Sequence, residues 1–137
     1  MKIKASRYSV EGRVYIHKYL NKYLQEEIKF LIEHPLKKQS IQKNDNRISL
    51  FVAQKGLCHV SKVKLDVNSM VVRNRVPKER GGTDKYHNLV LVNNEMNNLI
   101  DENDIIIINE YLERIKLDKR ALNKINALRK LVGNPMI

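Results

Sequence analysis

The sequence predicts an α+β fold in which a β-hairpin, a glycine-containing loop and a helix form the centre, with helices on either side. Three observations carry this. Apolar residues recur at three- and four-residue steps near both ends of the chain. Short β-prone runs lie in the middle, one stopping at Pro77 and another reading Leu89-Val90-Leu91-Val92. Between those two runs, Gly81-Gly82-Thr83-Asp84 is a strong loop signal.

Taken in order, Val14 to His34 carries a helical stripe of Tyr15, Ile16, Tyr19, Leu20, Tyr23, Leu24, Ile28, Leu31 and Ile32. His34-Pro35 ends it, because the residue before a proline is pushed out of the helical region. Residues 35–44 read as a polar, basic linker. A shorter helix is expected from Arg47 to Lys55, with Asp45 and Asn46 as candidate N-caps and Gly56 suited to a left-handed C′ position. Leu57–Val60 and Ser69–Val76 read as strands, and Leu89–Val92 as a third. Asn93-Asn94 offers the cap of a helix reaching Ile100. Two more helices follow, Asn103 to Ile115 and Asp118 to Leu131, the second stopped by Gly133. These elements divide into an N-terminal helical arm with its linker (residues 1–44) and a domain with a two-helix tail (residues 45–137).

The chain of 137 residues is long enough to bury a core without staples, and its 42% hydrophobic content argues against disorder. A single cysteine, Cys58, excludes an internal disulfide and a cysteine-rich zinc knuckle, and fits a reducing, cytoplasmic location. No window approaches the roughly 18 to 20 apolar residues of a membrane span. The N-terminus has no apolar segment behind its lysines, so no signal peptide is expected. Twenty-six basic side chains against 15 acidic ones give a net charge of +11. The excess sits in the first hundred residues. Such a basic surface suits a phosphate backbone.

A set of motifs goes further. Asp45-Asn46-Arg47-Ile48-Ser49 is followed by Gln54-Lys55-Gly56, Cys58 and Val60-Ser61. Then come Val76-Pro77-Lys78 and the run Gly81-Gly82-Thr83-Asp84-Lys85-Tyr86-His87-Asn88-Leu89. Leu99-Ile100 and Leu128-Arg129-Lys130-Leu131-Val132-Gly133-Asn134 complete the set. Over residues 45–134, and more loosely around Arg13–His17, the chain resembles the C-terminal endonuclease region of group II intron-encoded reverse transcriptases (maturases). That resemblance implies an HNH-type ββα-metal finger. In it, a histidine at the end of the first long strand is the general base, an Asn orients it, and a helix histidine helps bind a divalent metal. The residue beside the base often ligates the metal too. This chemistry needs a base titrating near neutrality and a Lewis-acidic cation at the scissile phosphate.

The sequence departs from that pattern at the reacting positions. Arg73 and Asn74 stand where the family has His-His or Asp-His, and Asn97 stands at the metal-binding helix position. Only the orienting Asn remains, as Asn88. An amide cannot accept a proton at neutral pH, and a guanidinium cannot ligate a cation. The expectation is therefore a degenerate site with no catalytic residue, no metal and no cofactor. His17, His34, His59 and His87 read as surface or structural side chains, and Cys58 as core. Glu79 and Asp84 read as solvated loop carboxylates. Lys62 takes the place of the family's small residue after Val60-Ser61.

Arg73, Arg75, Lys78, Arg80 and Lys85 are the candidate nucleic-acid-binding residues. The leading functional expectation is a catalytically inactive HNH-like module that binds nucleic acid or a protein–nucleic-acid complex, as an accessory subunit, regulator or phage-type inhibitor. One competing expectation is an active endonuclease with an atypical residue set. Another is a protein-binding part that uses Tyr15, Tyr19 and Tyr23 as its interface. No small-molecule substrate and no membrane association are expected.

Overall fold

A computed structural model of the chain describes residues 22–137, with the side chains of Lys22 and Tyr23 outside the description. Five α-helices and one two-stranded antiparallel sheet make up the regular structure of this region, so the α+β expectation holds. Helix α1 spans Lys22–Glu33 and α2 spans Ile41–Ala53. Strands β1 (Val71–Asn74) and β2 (Leu89–Val92) pair with Val72 opposite Leu91 and Arg73 opposite Val90. Helix α3 (Asn94–Asp101) follows β2 directly, then α4 (Ile105–Arg114) and α5 (Lys119–Leu131).

Three helices start at side-chain caps, and for one of them, Asn93, the cap is the one expected. Asn93, Asp104 and Asp118 each accept a backbone N–H two or three residues on, from Met96, Ile106 and Ala121. The start of α2 differs. It begins at Ile41 and is capped by Ser40, whose hydroxyl accepts from Lys43 N, so residues 41–44 belong to a helix and not to a linker. Asp45 and Asn46 are accordingly interior helix residues, 4% and 0% exposed, rather than caps. The helix ends in two successive left-handed residues, Lys55 (φ 57°) and Gly56 (φ 73°). Leu57–Val60 is not a strand. Leu57 makes one isolated bridge to Lys64, and the chain between them turns, with Lys62 at φ 61°. The first hairpin strand is likewise shorter than Ser69–Val76.

All four residues of β2 are buried, which a strand achieves only when both of its faces are covered. Phe51, Cys58, Leu91, Leu99 and Ile125 are all fully enclosed and share one core with Ile28 and Leu31 of α1. Each of the leucine, isoleucine and phenylalanine side chains contributes about 1.5–3 kcal/mol by leaving water. One buried cation holds the far end of the site in place. Arg129 of α5, 0% exposed, donates to the carbonyls of Leu99 (2.6 Å) and Glu102 (2.7 Å), and through Nε to Pro135 O (2.8 Å). It thereby closes the C-terminal end of α3, where the helix dipole favours positive charge. Asn134 adds a bond to Ile100 O at 2.9 Å. Among the described residues no helix is long and apolar enough to cross a membrane.

Candidate nucleic-acid interface

The connection between β1 and β2 builds the site. Gly82 is obligatory there, because a Cβ at that position would sit 1.7 Å from Val76 O. Asn88, in a short 3₁₀ turn at the entrance to β2, ties the loop together. Its amide nitrogen donates to Thr83 O (2.8 Å) and Val76 O (3.0 Å), and its oxygen accepts from Val76 N (3.0 Å). With both amide hydrogens on the loop backbone, Asn88 has a structural task of its own.

Asp84 is the hub of this loop and is not a solvated carboxylate, being only 7% exposed. It accepts from Ser40 Oγ (2.7 Å), Lys78 Nζ (3.0 Å) and Asn74 Nδ2 (3.0 Å), while its backbone oxygen accepts from Asn46 (2.9 Å). Burial opposes ionisation, but the hydrogen bonds from Ser40, Asn74 and Lys78 outweigh it and hold the carboxyl down at about 2. The helix start that places Ser40 therefore also supplies one of the three hydrogen bonds that keep Asp84 ionised.

Asn74 completes that network. Its oxygen accepts from Lys43 Nζ at 2.7 Å, and its nitrogen donates to Thr83 O and Asp84. Lys43 is a buried amine whose pKa is lowered, chiefly by desolvation, against the attraction of Asp84. Its place in a region read as linker concealed its part in the site.

Arg73 belongs to a separate cluster. Its guanidinium donates to Asn97 Oδ1 (2.9 Å) and to both carboxylate oxygens of Asp101 (2.8 and 2.5 Å), bridging β1 to α3. Arg73, Asn74 and Asn97 thus do not share one hydrogen-bonded cluster. Arg73 pairs with Asn97, and Asn74 with Lys43 and Asp84. Arg73 and Asn74 nevertheless both line an open groove of about 580 Å³, together with Lys43, Lys78, Arg80 and Asp101.

The five basic candidates separate on the surface. Arg73 and Lys78 are ion-paired to Asp101 and Asp84. Arg80 and Lys85 are exposed, with no ion pair among the described residues. Arg75 is half-buried, and its charge acts on His59 together with those of Lys62, Arg120 and Lys124, a grouping that sequence reading missed. His87 is exposed in the 3₁₀ turn beside a smaller recess with Lys85, and His34 stacks on Phe30. Cys58 is fully buried. Tyr15, Tyr19 and His17 lie outside the described residues, as does the side chain of Tyr23. No set of three or more His, Cys, Asp or Glu side chains among the described residues could hold a metal ion.

Comparisons with protein-family models, curated proteins and solved structures gave no match to this chain.

Proposed function

We propose that this protein is a catalytically inactive relative of the HNH ββα-metal finger that binds the phosphate backbone of nucleic acid without cutting it. One observation carries the reading. At the position the resemblance assigns to the general base stands Asn74, an amide held by Lys43 and Asp84. The strand–loop–strand–helix order of β1, β2 and α3 supports it, as does the contact between Arg73 and Asn97. These are the two positions at which the resemblance places metal ligands, and here a guanidinium supplies positive charge between strand and helix. Hydrolysis needs a proton acceptor and a Lewis acid. Binding needs neither. A net charge of +11, with exposed Arg80 lining the groove and exposed Lys85 on the same loop, supplies the electrostatic part.

A second reading, hydrolysis by an atypical set, has one observation in its favour: the buried amine of Lys43 lines the groove with a lowered pKa. One experiment separates the two. Purified protein is mixed with labelled duplex and single-stranded DNA and RNA in Mg²⁺, Mn²⁺ or Ni²⁺, and cutting and fluorescence anisotropy are followed together. The expected result is binding that weakens steeply with salt, with no cutting. Divalent-dependent cutting that survives repurification and disappears in Lys43→Met or Asn74→Ala overturns the inactive reading. Failure to bind any of the four nucleic acids at low salt overturns the binding reading.

A further inference from the structure

We infer that His59, Lys62, Arg75, Arg120 and Lys124 form a second phosphate-binding site, apart from the groove, which grips a nucleic-acid backbone. This inference rests on the nucleic-acid reading above and assigns part of the binding to residues that reading does not use.

Three segments of chain meet there. His59 and Lys62 lie in the turn after α2, fixed to the sheet by His59 N donating to Leu91 O at 3.0 Å. Arg75 follows β1 and is anchored by its own N–H on Asn88 O at 2.7 Å. Arg120 and Lys124 stand four residues apart on α5, which places them on one helix face. Arg120 Nη2 reaches Val60 O at 3.1 Å, tying that face to the turn.

The charge here is unlike that of the groove. In the groove, Asp101 and Asp84 neutralise Arg73 and Lys78. Around His59 none of the four cations has an ion pair among the described residues. Arg75 Nε is buried with no hydrogen-bond partner among the described residues, so a donor is already desolvated and unused. The imidazole registers this setting: burial first, then the charges of Lys124, Arg75, Lys62 and Arg120, hold it down at about 4. Gathering four like charges around a half-buried ring opposes folding unless an anion supplies the counter-charge. Repeated phosphodiesters do so along a surface assembled from separate segments, and release bound counterions as they bind.

The test uses the full chain and compares two variants. Lys62→Asn with Lys124→Gln removes two cluster charges, and Asn tolerates the left-handed backbone at position 62. Lys78→Ala with Arg80→Ala removes two of the groove charges. Circular dichroism melting establishes that each variant is folded, and Lys62→Gly with Lys124→Ala replaces the first should it melt early. Affinity for duplex DNA and duplex RNA is then measured against salt concentration. The cluster variant should lower the log–log salt slope by about 2 and weaken binding roughly tenfold at moderate salt. In parallel, the ¹H–¹³C shifts of His59 are titrated in the free protein, with inorganic phosphate, and with oligonucleotide. The oligonucleotide should raise the imidazole pKa by about one unit, since phosphates screen the four cations, and millimolar inorganic phosphate should leave it unchanged. An unaltered slope with binding lost in the groove variant overturns this inference and leaves the nucleic-acid reading standing. An equal response to inorganic phosphate overturns the backbone assignment. Absence of wild-type binding overturns both.

Discussion

Arg73 on β1 holds Asp101 at the end of α3 through two contacts, 2.8 and 2.5 Å, while the same guanidinium donates to Asn97 at 2.9 Å. Strand and helix are thereby locked across the groove by a paired charge. The two partners differ in their setting, with the Arg73 side chain 11% exposed and that of Asp101 57% exposed. Asp101→Asn should therefore cost less than about 1 kcal/mol, as expected of a solvent-facing partner. Arg73→Ala should cost about 1–3 kcal/mol, because it leaves the facing polar groups without a donor. Asp101→Asn should also raise nucleic-acid affinity several-fold by removing a carboxylate from the groove. Urea unfolding and anisotropy check the two statements, and weaker binding in Asp101→Asn would refute the groove as a phosphate contact.

Asp84 yields a pH dependence. Its folded-state pKa of about 2 lies below the 3.8 of a free aspartate, so the ionised carboxylate stabilises the fold. That stability is complete above pH 3.8 and is lost as pH falls towards 2. At roughly 1.4 kcal/mol per unit it amounts to about 2 kcal/mol. Asp84→Asn should remove it at neutral pH and flatten the acid limb of the stability curve, as measured by denaturant unfolding from pH 2 to 7.

His59 acts in a different window. Its imidazole is held at about 4 against 6.5 when free, so the neutral form is favoured in the fold. The contribution is complete above pH 6.5 and is lost as pH falls through 4, with a size of about 3 kcal/mol. His59→Gln should flatten the curve between pH 6.5 and 4 and leave the Asp84 window below 3.8 unchanged. Comparing the curves of the two variants resolves the two groups, because the steepest loss for His59 lies between pH 6.5 and 4 and that for Asp84 between 3.8 and 2. A wild-type curve that is flat between pH 6.5 and 4 would show that His59 is not enclosed by the cluster.

What the sequence disclosed follows the range of each interaction. Asn93, Asp104 and Asp118 bond backbone two or three residues away, so their caps were readable locally. Ser40 caps by the same chemistry, but Pro35-Leu36-Lys37-Lys38-Gln39 before it has linker composition, and the true start of α2 was hidden. The buried state of Asp84 is illegible locally because one of its partners, Ser40, lies 44 positions earlier. The pairing of Arg73 with Asp101 spans 28 positions and leaves no periodic trace. The cluster around His59 is harder still, because Lys62, Arg75 and Lys124 come from three elements that only the folded sheet and α5 bring near one another. Motif order alone singles out Arg73, Asn74, Asn88 and Asn97, and of these only Arg73 and Asn74 line the groove.

The relation to a metal-binding finger can be tested by restoring a site. Asn97 Oδ1 and Asp101 Oδ2 both approach Arg73 Nη1, at 2.9 and 2.8 Å, so two oxygens already converge on one point occupied by positive charge. Arg73→His vacates that point and contributes an imidazole, Asn97→His contributes a second, and Asp101 remains as a carboxylate. Two imidazoles and a carboxylate form a ligand set for Zn²⁺ or Ni²⁺ with open positions. The double variant should melt several degrees higher in Zn²⁺, since a ligand at 100 times its Kd adds about 2.7 kcal/mol to the folded state. Adding Asp101→Asn should abolish most of that gain. Adding Asn74→His should change it little, because Asn74 is committed to Lys43, Thr83 and Asp84. Stabilisation is a better readout than cleavage, which also requires outer groups to hold each imidazole in orientation. Should the folded double variant gain no metal-dependent stability, positions 73 and 97 are not a ligand pair, and the kinship with the ββα-metal finger fails.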